Sequence, residues 1–436
     1  MNVSWIWEYA LPFAVVLGTV VLFHEFGHYV VAKAFGITVE VFSVGFGPRL
    51  WGYRKSGTDY RLSLVPLGGY VKLKGETDDE AGPREPGDLL SRPRWQRFLV
   101  FVMGAVFNLV TAFVLTAVIF TTGVREHAFL YEPPVVGEVE PESPAAAAGI
   151  LAGDRIVGFD GRPVGTWKDL QLAILLNPRQ IKEIAFERGG ERRTTILKIA
   201  TGRGEVGRAG ILPGTGVTVL EVQPGRPADR AGLRPGDRLV SIDGVPITTI
   251  GKVLTLIQGS PERPLEFVLE RDGAPYTRTI TPIREGDRGL IGFVPSPPTV
   301  VRSYGVIAAM RESVAANVEA VGLVFLTFKK LFTGQLSLRA VSGPIELYLV
   351  TGRAAQEGLV PFLQFIAFVS LQLGIINLFP IPPLDGGQVF TLLIEGTIRR
   401  DLSMQFKERI AQAGLILLLL FMVAVIYLDI DKIFFP

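Results

Sequence analysis

The sequence predicts a polytopic α-helical membrane protein with about four transmembrane helices, a membrane-associated β-sheet insert and two small α+β extracytoplasmic domains. Three observations predict it: four long apolar segments, a stretch with strand-like alternation between the first two, and an internal repeat between the second and third. In chain order, the predicted parts are transmembrane helix 1 (1–35), a cytoplasmic-side β-rich insert (36–96), transmembrane helix 2 (97–122), two repeat domains (123–205 and 206–298), an amphipathic linker helix (303–333), and transmembrane helices 3 (356–396) and 4 (410–430).

Composition supports a membrane protein and excludes several functions. Of the 436 residues, 48% are hydrophobic and only 20% are charged. The formal net charge of +2 gives no electrostatic footprint for nucleic acid. The chain has no cysteine, which excludes disulfides, iron–sulfur clusters, Cys-ligated zinc and cysteine nucleophiles.

The four apolar segments and the charges between them predict an orientation. Short loops rich in Lys and Arg stay in the cytoplasm, and such loops join segments one to two and three to four. Both termini and the long insert are therefore expected on the extracytoplasmic side. The segments are Leu11–Ala32, Phe98–Thr121, Leu359–Leu378 and Ala411–Leu428.

The long insert contains two copies of one pattern. Each match is offset by 83 residues, as between Gly153-Asp154 and Gly236-Asp237. The pattern resembles bacterial PDZ domains, which bind extended peptides by adding a strand to a sheet edge. This resemblance implies peptide recognition or size gating; spacers without a binding groove are the alternative.

An amphipathic helix is predicted directly after the second copy. It is expected to lie on the outer membrane surface, although packing in a soluble core explains the periodicity nearly as well. Its apolar positions are Ile307, Met310, Val314, Val318, Val321, Phe325, Phe328 and Phe332.

Two of the three histidines, His24 and His28, lie four residues apart in the first apolar segment. On a helix this spacing places both imidazoles on one face, where both can bind a single metal ion. Glu25 lies between them and can take a proton from a water molecule at the metal. Ionisable groups inside a membrane are costly and usually functional, which favours a metal site over a chance group of hydrogen-bonded side chains.

A third metal ligand must come from elsewhere, because catalytic zinc has three protein ligands and one open position. Asp385 is the better candidate, since it follows a proline-rich break after the third apolar segment and precedes Gly386 and Gly387. Irregular backbone at membrane depth is tolerated only inside protein or beside a wet cavity. A simple turn would explain the prolines but not the carboxylate. His127 is excluded because it lies just beyond the second segment, on the outer side.

Together these motifs resemble the site-2 protease family, in its bacterial regulator-of-sigma-E protease branch, over nearly the whole chain. The resemblance implies one catalytic zinc ion held by His24, His28 and Asp385, with Glu25 as general base. It also implies that Asn377 holds the substrate backbone or the developing oxyanion. The motifs are His24-Glu25-Phe26-Gly27-His28, Gly45-Phe46-Gly47-Pro48, Pro66-Leu67-Gly68-Gly69-Tyr70-Val71, the stretch from Asn377 to Asp385-Gly386-Gly387, and the two PDZ-like copies.

The same resemblance implies regulated intramembrane proteolysis in the bacterial cytoplasmic (inner) membrane. Its substrates would be single-span membrane proteins already trimmed outside, such as anti-sigma factors or signal-peptide remnants. Peptide or protein ligands of the PDZ-like domains and the lipid bilayer are the other expected partners. Two positions depart from the family: Gln388 stands where His is frequent, and Gln372 where a close relative more often has Asn.

The β-rich insert is expected to hold substrate in extended form at a sheet edge, a hypothesis that depends largely on the family resemblance. A plain cytoplasmic hairpin is the alternative. The residues with strand-like spacing are Val39, Val41, Leu62, Leu64 and Val71.

Two other functions are alternatives, and the sequence favours each of them less than a protease. A catalytically silent PDZ membrane scaffold predicts a decayed metal site, yet every expected catalytic residue is present. A metal or ion transporter could also use an intramembrane His/Asp cluster. Transport favours polar side chains along a whole path, whereas the second and fourth segments offer almost none apart from Asn108.

Overall fold

The structure is a computed structural model that describes residues 4–76, 85–202 and 205–434. It divides into two units. Of the described residues, the first contains 4–76, 85–124, 303–329 and 337–434, and the second contains 125–202, 205–302 and 330–336.

The helices and strands are numbered in chain order. The helices are α1 (Ser4–Ala34), α2 (Arg94–Thr122), α3 (Pro144–Ala147), α4 (Trp167–Leu175), α5 (Pro227–Arg230), α6 (Ile250–Gln258), α7 (Val306–Phe332), α8 (Pro344–Glu357), α9 (Leu359–Asn377), α10 (Asp385–Ile398) and α11 (Met404–Phe434). The strands are β1 (Val39–Lys55), β2 (Thr58–Leu73), β3 (Val124–His127), β4 (Val136–Val139), β5 (Arg155–Phe159), β6 (Arg162–Pro163), β7 (Ile181–Arg188), β8 (Glu191–Lys198), β9 (Ala200–Thr201), β10 (Gly207–Arg208), β11 (Ile211–Pro213), β12 (Val217–Val222), β13 (Arg238–Ile242), β14 (Val245–Pro246), β15 (Leu265–Arg271), β16 (Ala274–Ile280), β17 (Ile283–Glu285), β18 (Arg288–Leu290), β19 (Phe293–Ser296) and β20 (Thr299–Arg302).

Long apolar helices dominate the first unit, where α2 packs against both α1 and α9. The backbones of α1 and α2 approach closely, because a Cβ atom at Gly27 would collide with the Met103 carbonyl. Within the described residues, four helices are long and apolar enough to cross a membrane, which confirms the four predicted apolar segments. They are Trp7–Ala34, Arg94–Thr122, Leu359–Asn377 and Gln405–Lys432.

The β-rich insert folds into a sheet in which β1 pairs with β2 over three stretches. One side of residues 41–44 pairs with residues 69–72, and the other side pairs with residues 59–62. The second half of β1, from Arg49 to Lys55, pairs with the first half of β2. Residues 69–73 therefore form one edge of the sheet, and residues 49–55 form the other.

A buried carboxylate in α11 holds the beginning of α8. Asp429 accepts the backbone N–H groups of Gly343 at 2.9 Å, Ile345 at 3.1 Å and Glu346 at 3.1 Å. The first N–H groups of a helix have no partner within the helix, and Gly343 has no side chain to supply one. Asp429 therefore caps α8 from a different helix.

In the second unit, the first repeat builds a sheet in the order β6-β5-β7-β8, while β4 pairs separately with β11. Its core includes Ile156, Leu170 and Ile184, which are buried. Ala209 also packs in this core, so the core draws on residues from both sides of the predicted boundary between 205 and 206.

The second repeat builds a sheet in the order β16-β15-β13-β12-β19, with β14 beside β13. Its separate core includes Val217, Leu239 and Phe267. Sheet regions outside the membrane-length helices are thus confirmed, whereas the number of PDZ domains stays a prediction.

An aspartate–arginine ion pair occupies the same position in each of the two repeats. Asp154 accepts two hydrogen bonds from Arg188, at 2.6 and 2.7 Å, and Asp237 accepts two from Arg271, at 2.7 and 2.9 Å. Both aspartates are 1% exposed. The offset of 83 residues applies to both partners. The repeat in sequence is therefore also a repeat of ion pairs between a buried aspartate and a partly exposed arginine.

Candidate metal centre and active site

The two histidines predicted as metal ligands lie one turn apart on α1 and are buried. Their Nε2 atoms are 3.2 Å apart. The Nδ1 atom of His28 lies 2.7 Å from the carbonyl oxygen of Val100 in α2. A hydrogen bond from Nδ1–H to this carbonyl leaves the lone pair on Nε2, which is the form of histidine that binds a metal.

Asp385 completes the cluster from the first residue of α10. Its Oδ2 atom is 3.0 Å from Nε2 of His24 and 3.3 Å from Nε2 of His28. The following glycines let α10 begin against the loop before it, because a Cβ atom at Gly386 would collide with the carbonyl of Phe379. The Asp-Gly-Gly sequence thus brings the carboxylate to the histidines.

These three donor atoms fit a tetrahedral zinc ion. Ligands about 2.0–2.1 Å from zinc are about 3.3 Å from one another at tetrahedral angles, close to the observed separations. Two imidazoles and a carboxylate are also a donor set that catalytic zinc accepts. Oδ2 of Asp385 is buried and has no well-oriented hydrogen bond from any described residue. Within the described residues this is the one group of three or more potential ligands.

Glu25, the predicted general base, is half-buried beside His24. Its Oε2 atom accepts a hydrogen bond of 3.0 Å from the backbone N–H of Val71. Val71 belongs to the edge segment 69–73 of the sheet, so this edge lies next to the carboxylate. The sheet therefore lies beside α1, the helix that carries both histidines.

Asn377, the last residue of α9, is buried next to His24. Its Nδ2 atom is 3.4 Å from Nδ1 and 3.5 Å from Nε2 of that histidine. The structure therefore brings together all five residues that the sequence singled out for the site. Gln388 is exposed and His127 stacks on Phe129, so neither joins the cluster.

Two residues of α2 were not predicted as part of the site. The Nδ2 atom of Asn108 is 3.3 Å from Nδ1 of His24. Gly104, one turn earlier, faces both imidazoles, because a Cβ atom there would collide with the His28 ring and lie 2.8 Å from Cε1 of His24. The available signal was a single amide side chain in an uncharged span, with a glycine four residues before it.

Comparisons with known proteins match nearly the whole chain. A family model described as peptidase family M50 matches residues 12–421. The regulator of sigma-E protease RseP of Escherichia coli (strain K12) is 33% identical over 464 residues, covering 98% of this chain and 99% of that protein. A Neisseria meningitidis protein whose name includes the words zinc metalloprotease is 32% identical over 451 residues. The match covers 97% of this chain and 98% of that protein.

Several solved structures match part of the chain. One of them, the PDZ domain of an SdrC-like protein from Listeria monocytogenes, covers 19% of this chain and 87% of its own, at 21% identity and a TM-score of 0.17. At this TM-score the similarity carries no weight for the fold.

Proposed function

The chain belongs to peptidase family M50, and from this membership we propose that it is an intramembrane zinc metalloendopeptidase. It cuts peptide bonds in the transmembrane segments of single-span membrane proteins. Family membership confirms the resemblance that the motifs predicted. The observation that carries the proposal is the convergence of His24, His28 and Asp385 beside Glu25, on a helix apolar enough to span a membrane.

His24, His28 and Asp385 would hold one zinc ion, which supplies Lewis acidity towards a carbonyl and lowers the pKa of water. Glu25 accepts the proton of the attacking water molecule and delivers it to the leaving amine. The hydrogen bond from Val71 keeps the Glu25 carboxylate in place between these transfers. Asn377 is near enough to the cluster to orient the substrate carbonyl or the developing oxyanion.

The sheet edge is proposed to bind the substrate. A peptide bond in a helix is shielded by neighbouring turns, so the target must unwind before it is cut. An extended segment can pair with an open strand edge through its backbone. The segment 69–73 is suited to this, because it is an edge segment next to the general base. The Val71 N–H is hydrogen-bonded to Glu25, so the substrate would pair with the other backbone groups of this edge.

The remaining parts are assigned roles in substrate selection and membrane placement. The two repeats act as extracytoplasmic PDZ domains that bind peptide or protein ligands and exclude bulky, uncut substrates. Both chain termini lie on the outer side of the bacterial inner membrane. Helix α7 was expected on the outer membrane surface, but its contacts favour packing along the membrane-length helices. The Ser313 hydroxyl donates a hydrogen bond of 2.7 Å to the Phe113 carbonyl of α2, and Val324 shares a buried cluster with Leu371 of α9.

The test uses full-length protein purified in detergent with a tagged single-span substrate. Wild type is compared with Glu25→Gln, and the zinc content of both is measured. Cleavage by wild type alone, with about one zinc ion retained by each protein, supports the proposal. Equal cleavage by both proteins contradicts the role of Glu25. A wild type that binds no zinc contradicts the metal site.

A further inference from the structure

We propose that Asn108 is a positioning residue for His24: its side-chain carbonyl accepts the Nδ1–H of that ligand and fixes the ring for metal binding. This inference depends on the zinc site proposed above. Asn108 is fully buried in α2, which has no other amide or charged side chain between residues 98 and 121. Its amide lies 3.3 Å from Nδ1 of His24.

The chemistry of a ligating histidine requires such an acceptor. Nε2 of His24 points at Asp385 and must present a lone pair to the metal, so the proton of the neutral ring is on Nδ1. A buried N–H needs an acceptor, and ligating histidines almost always donate this proton to a carbonyl, a carboxylate or water. His28 already has the carbonyl of Val100 in this role. His24 needs an equivalent partner.

The side chain of Asn108 has a hydrogen-bond acceptor without a partner among the described residues. This acceptor is the Oδ1 atom, which is buried. A 180° rotation of the carboxamide exchanges Oδ1 and Nδ2 without changing the shape of the side chain, and hydrogen bonding decides between the two. With Oδ1 turned to His24, the unpaired acceptor and the proton on Nδ1 satisfy each other.

Asn377 is less suited to this role, although it is also near His24. Its Nδ2 atom is almost equally far from the two ring nitrogens, at 3.4 and 3.5 Å. A group equidistant from both nitrogens cannot lie along the N–H direction of either one. Asn108 contacts Nδ1 alone, which is the geometry that a ring N–H requires.

The position of Asn108 is fixed independently of His24. Its backbone carbonyl accepts a hydrogen bond of 2.9 Å from the hydroxyl of Ser370 in α9, which is fully buried. Ser370→Ala therefore removes a buried polar contact at the same residue of α2 and leaves the amide facing His24. It is the matched control for a general packing defect.

The experiment measures zinc affinity by competition with a chelator, using full-length protein in detergent. Asn108→Leu keeps the branched shape of the side chain and removes the acceptor, whereas Asn108→Asp keeps an acceptor. Asn108→Ala serves if the leucine variant does not fold, as judged by thermal unfolding without metal. The Co²⁺-substituted proteins are also compared by visible absorption, because that spectrum reports ligand geometry and not overall stability.

The expected result is a loss of zinc affinity of about 10–100-fold in Asn108→Leu, with an altered Co²⁺ spectrum. Asn108→Asp and Ser370→Ala should stay within a few-fold of wild type. Near-wild-type affinity in both Asn108→Leu and Asn108→Ala overturns the inference. An Asn108→Asp or Ser370→Ala variant as weak as Asn108→Leu overturns it too. Absence of zinc from wild type would instead contradict the proposed function itself.

Discussion

The backbone N–H of Val71 donates a hydrogen bond of 3.0 Å to Oε2 of Glu25, which joins the edge of the sheet to the metal helix α1. The two residues come from different parts of the first unit, and the contact involves no side chain of Val71. The position of the proposed general base therefore depends on the position of a strand.

Removing this N–H should slow cleavage without removing zinc. In Val71→Pro the donor is lost, and proline is tolerated at a sheet edge. Hydrogen bonds to charged groups contribute about 1.5–3 kcal/mol, so we expect kcat to fall by at least about tenfold. Steady-state cleavage and zinc content check this. Val71→Ala keeps the N–H and should remain close to wild type; an equal loss in both variants would assign the effect to the side chain.

A methyl group at residue 104 should disrupt the metal centre. The added Cβ of Gly104→Ala would collide with the His28 ring and press on His24. Loss of a residue that hydrogen-bonds to a metal ligand lowers metal affinity about 10–100-fold, and we expect the zinc affinity of Gly104→Ala to fall at least as much. Gly396→Ala in α10 is the matched control, because an added Cβ there meets nothing within 4 Å. Zinc binding by Gly104→Ala at wild-type affinity would contradict the close approach of α2.

The second unit should lose stability in acid through its two buried aspartates. Burial alone would raise the pKa of Asp154, but hydrogen bonds from Arg188 and from the Leu151 N–H outweigh it and hold the pKa below its usual range. Burial acts likewise on Asp237, where Arg271, Tyr276 and the Arg234 N–H lower the pKa. A carboxylate with a lowered folded-state pKa contributes stability above its unfolded pKa of about 3.9, and this is lost as the pH falls.

Thermal unfolding between neutral pH and about pH 3 measures this effect, with wild type compared to the double variant Asp154→Asn, Asp237→Asn. The amide variant should be less stable at neutral pH and should show a shallower decline below about pH 4, because it has two fewer carboxyl groups to protonate. Parallel declines in the two proteins would mean that other carboxylates govern the acid sensitivity.

Loss of the Asp429 cap on α8 should lower the free energy of unfolding more than loss of a nearby surface ion pair. Asp429→Ala leaves three N–H groups at the beginning of α8 without their acceptor, at a cost of about 1–3 kcal/mol for a buried donor. Asp431→Ala breaks only the ion pair with Arg339, which is half-exposed, and should cost about 0–1 kcal/mol. Denaturant unfolding of the two variants in detergent compares them. A larger loss in Asp431→Ala would reverse this ranking.

The sequence predicted those features that depend on local spacing. His24 and His28 share a helix face whatever the tertiary structure, and a carboxylate after a proline-rich break is conspicuous in an apolar segment. The repeat was readable because equivalent residues recur at one offset. Zinc binding by these side chains itself stays a prediction.

The features that the sequence did not predict depend on how helices rotate and strands pair. Asn108 was visible as a polar residue, but which neighbour it faces depends on the rotation of α2 against α1. The contact between Val71 and Glu25 depends on β1 pairing with β2 on both sides, which simple alternation does not specify. The pairing of β11 with β4 joins residues distant in sequence, so residues 206–213 could not be placed from local pattern.

The three proposed ligands lie near opposite ends of the chain, in α1 and at the beginning of α10. A ribosome therefore makes His24 and His28 long before it makes Asp385. A nascent chain holds an incomplete ligand set until its third long apolar helix has been synthesised and has docked against the first two. The order of synthesis therefore delays assembly of the proposed metal site until most of the chain has been made.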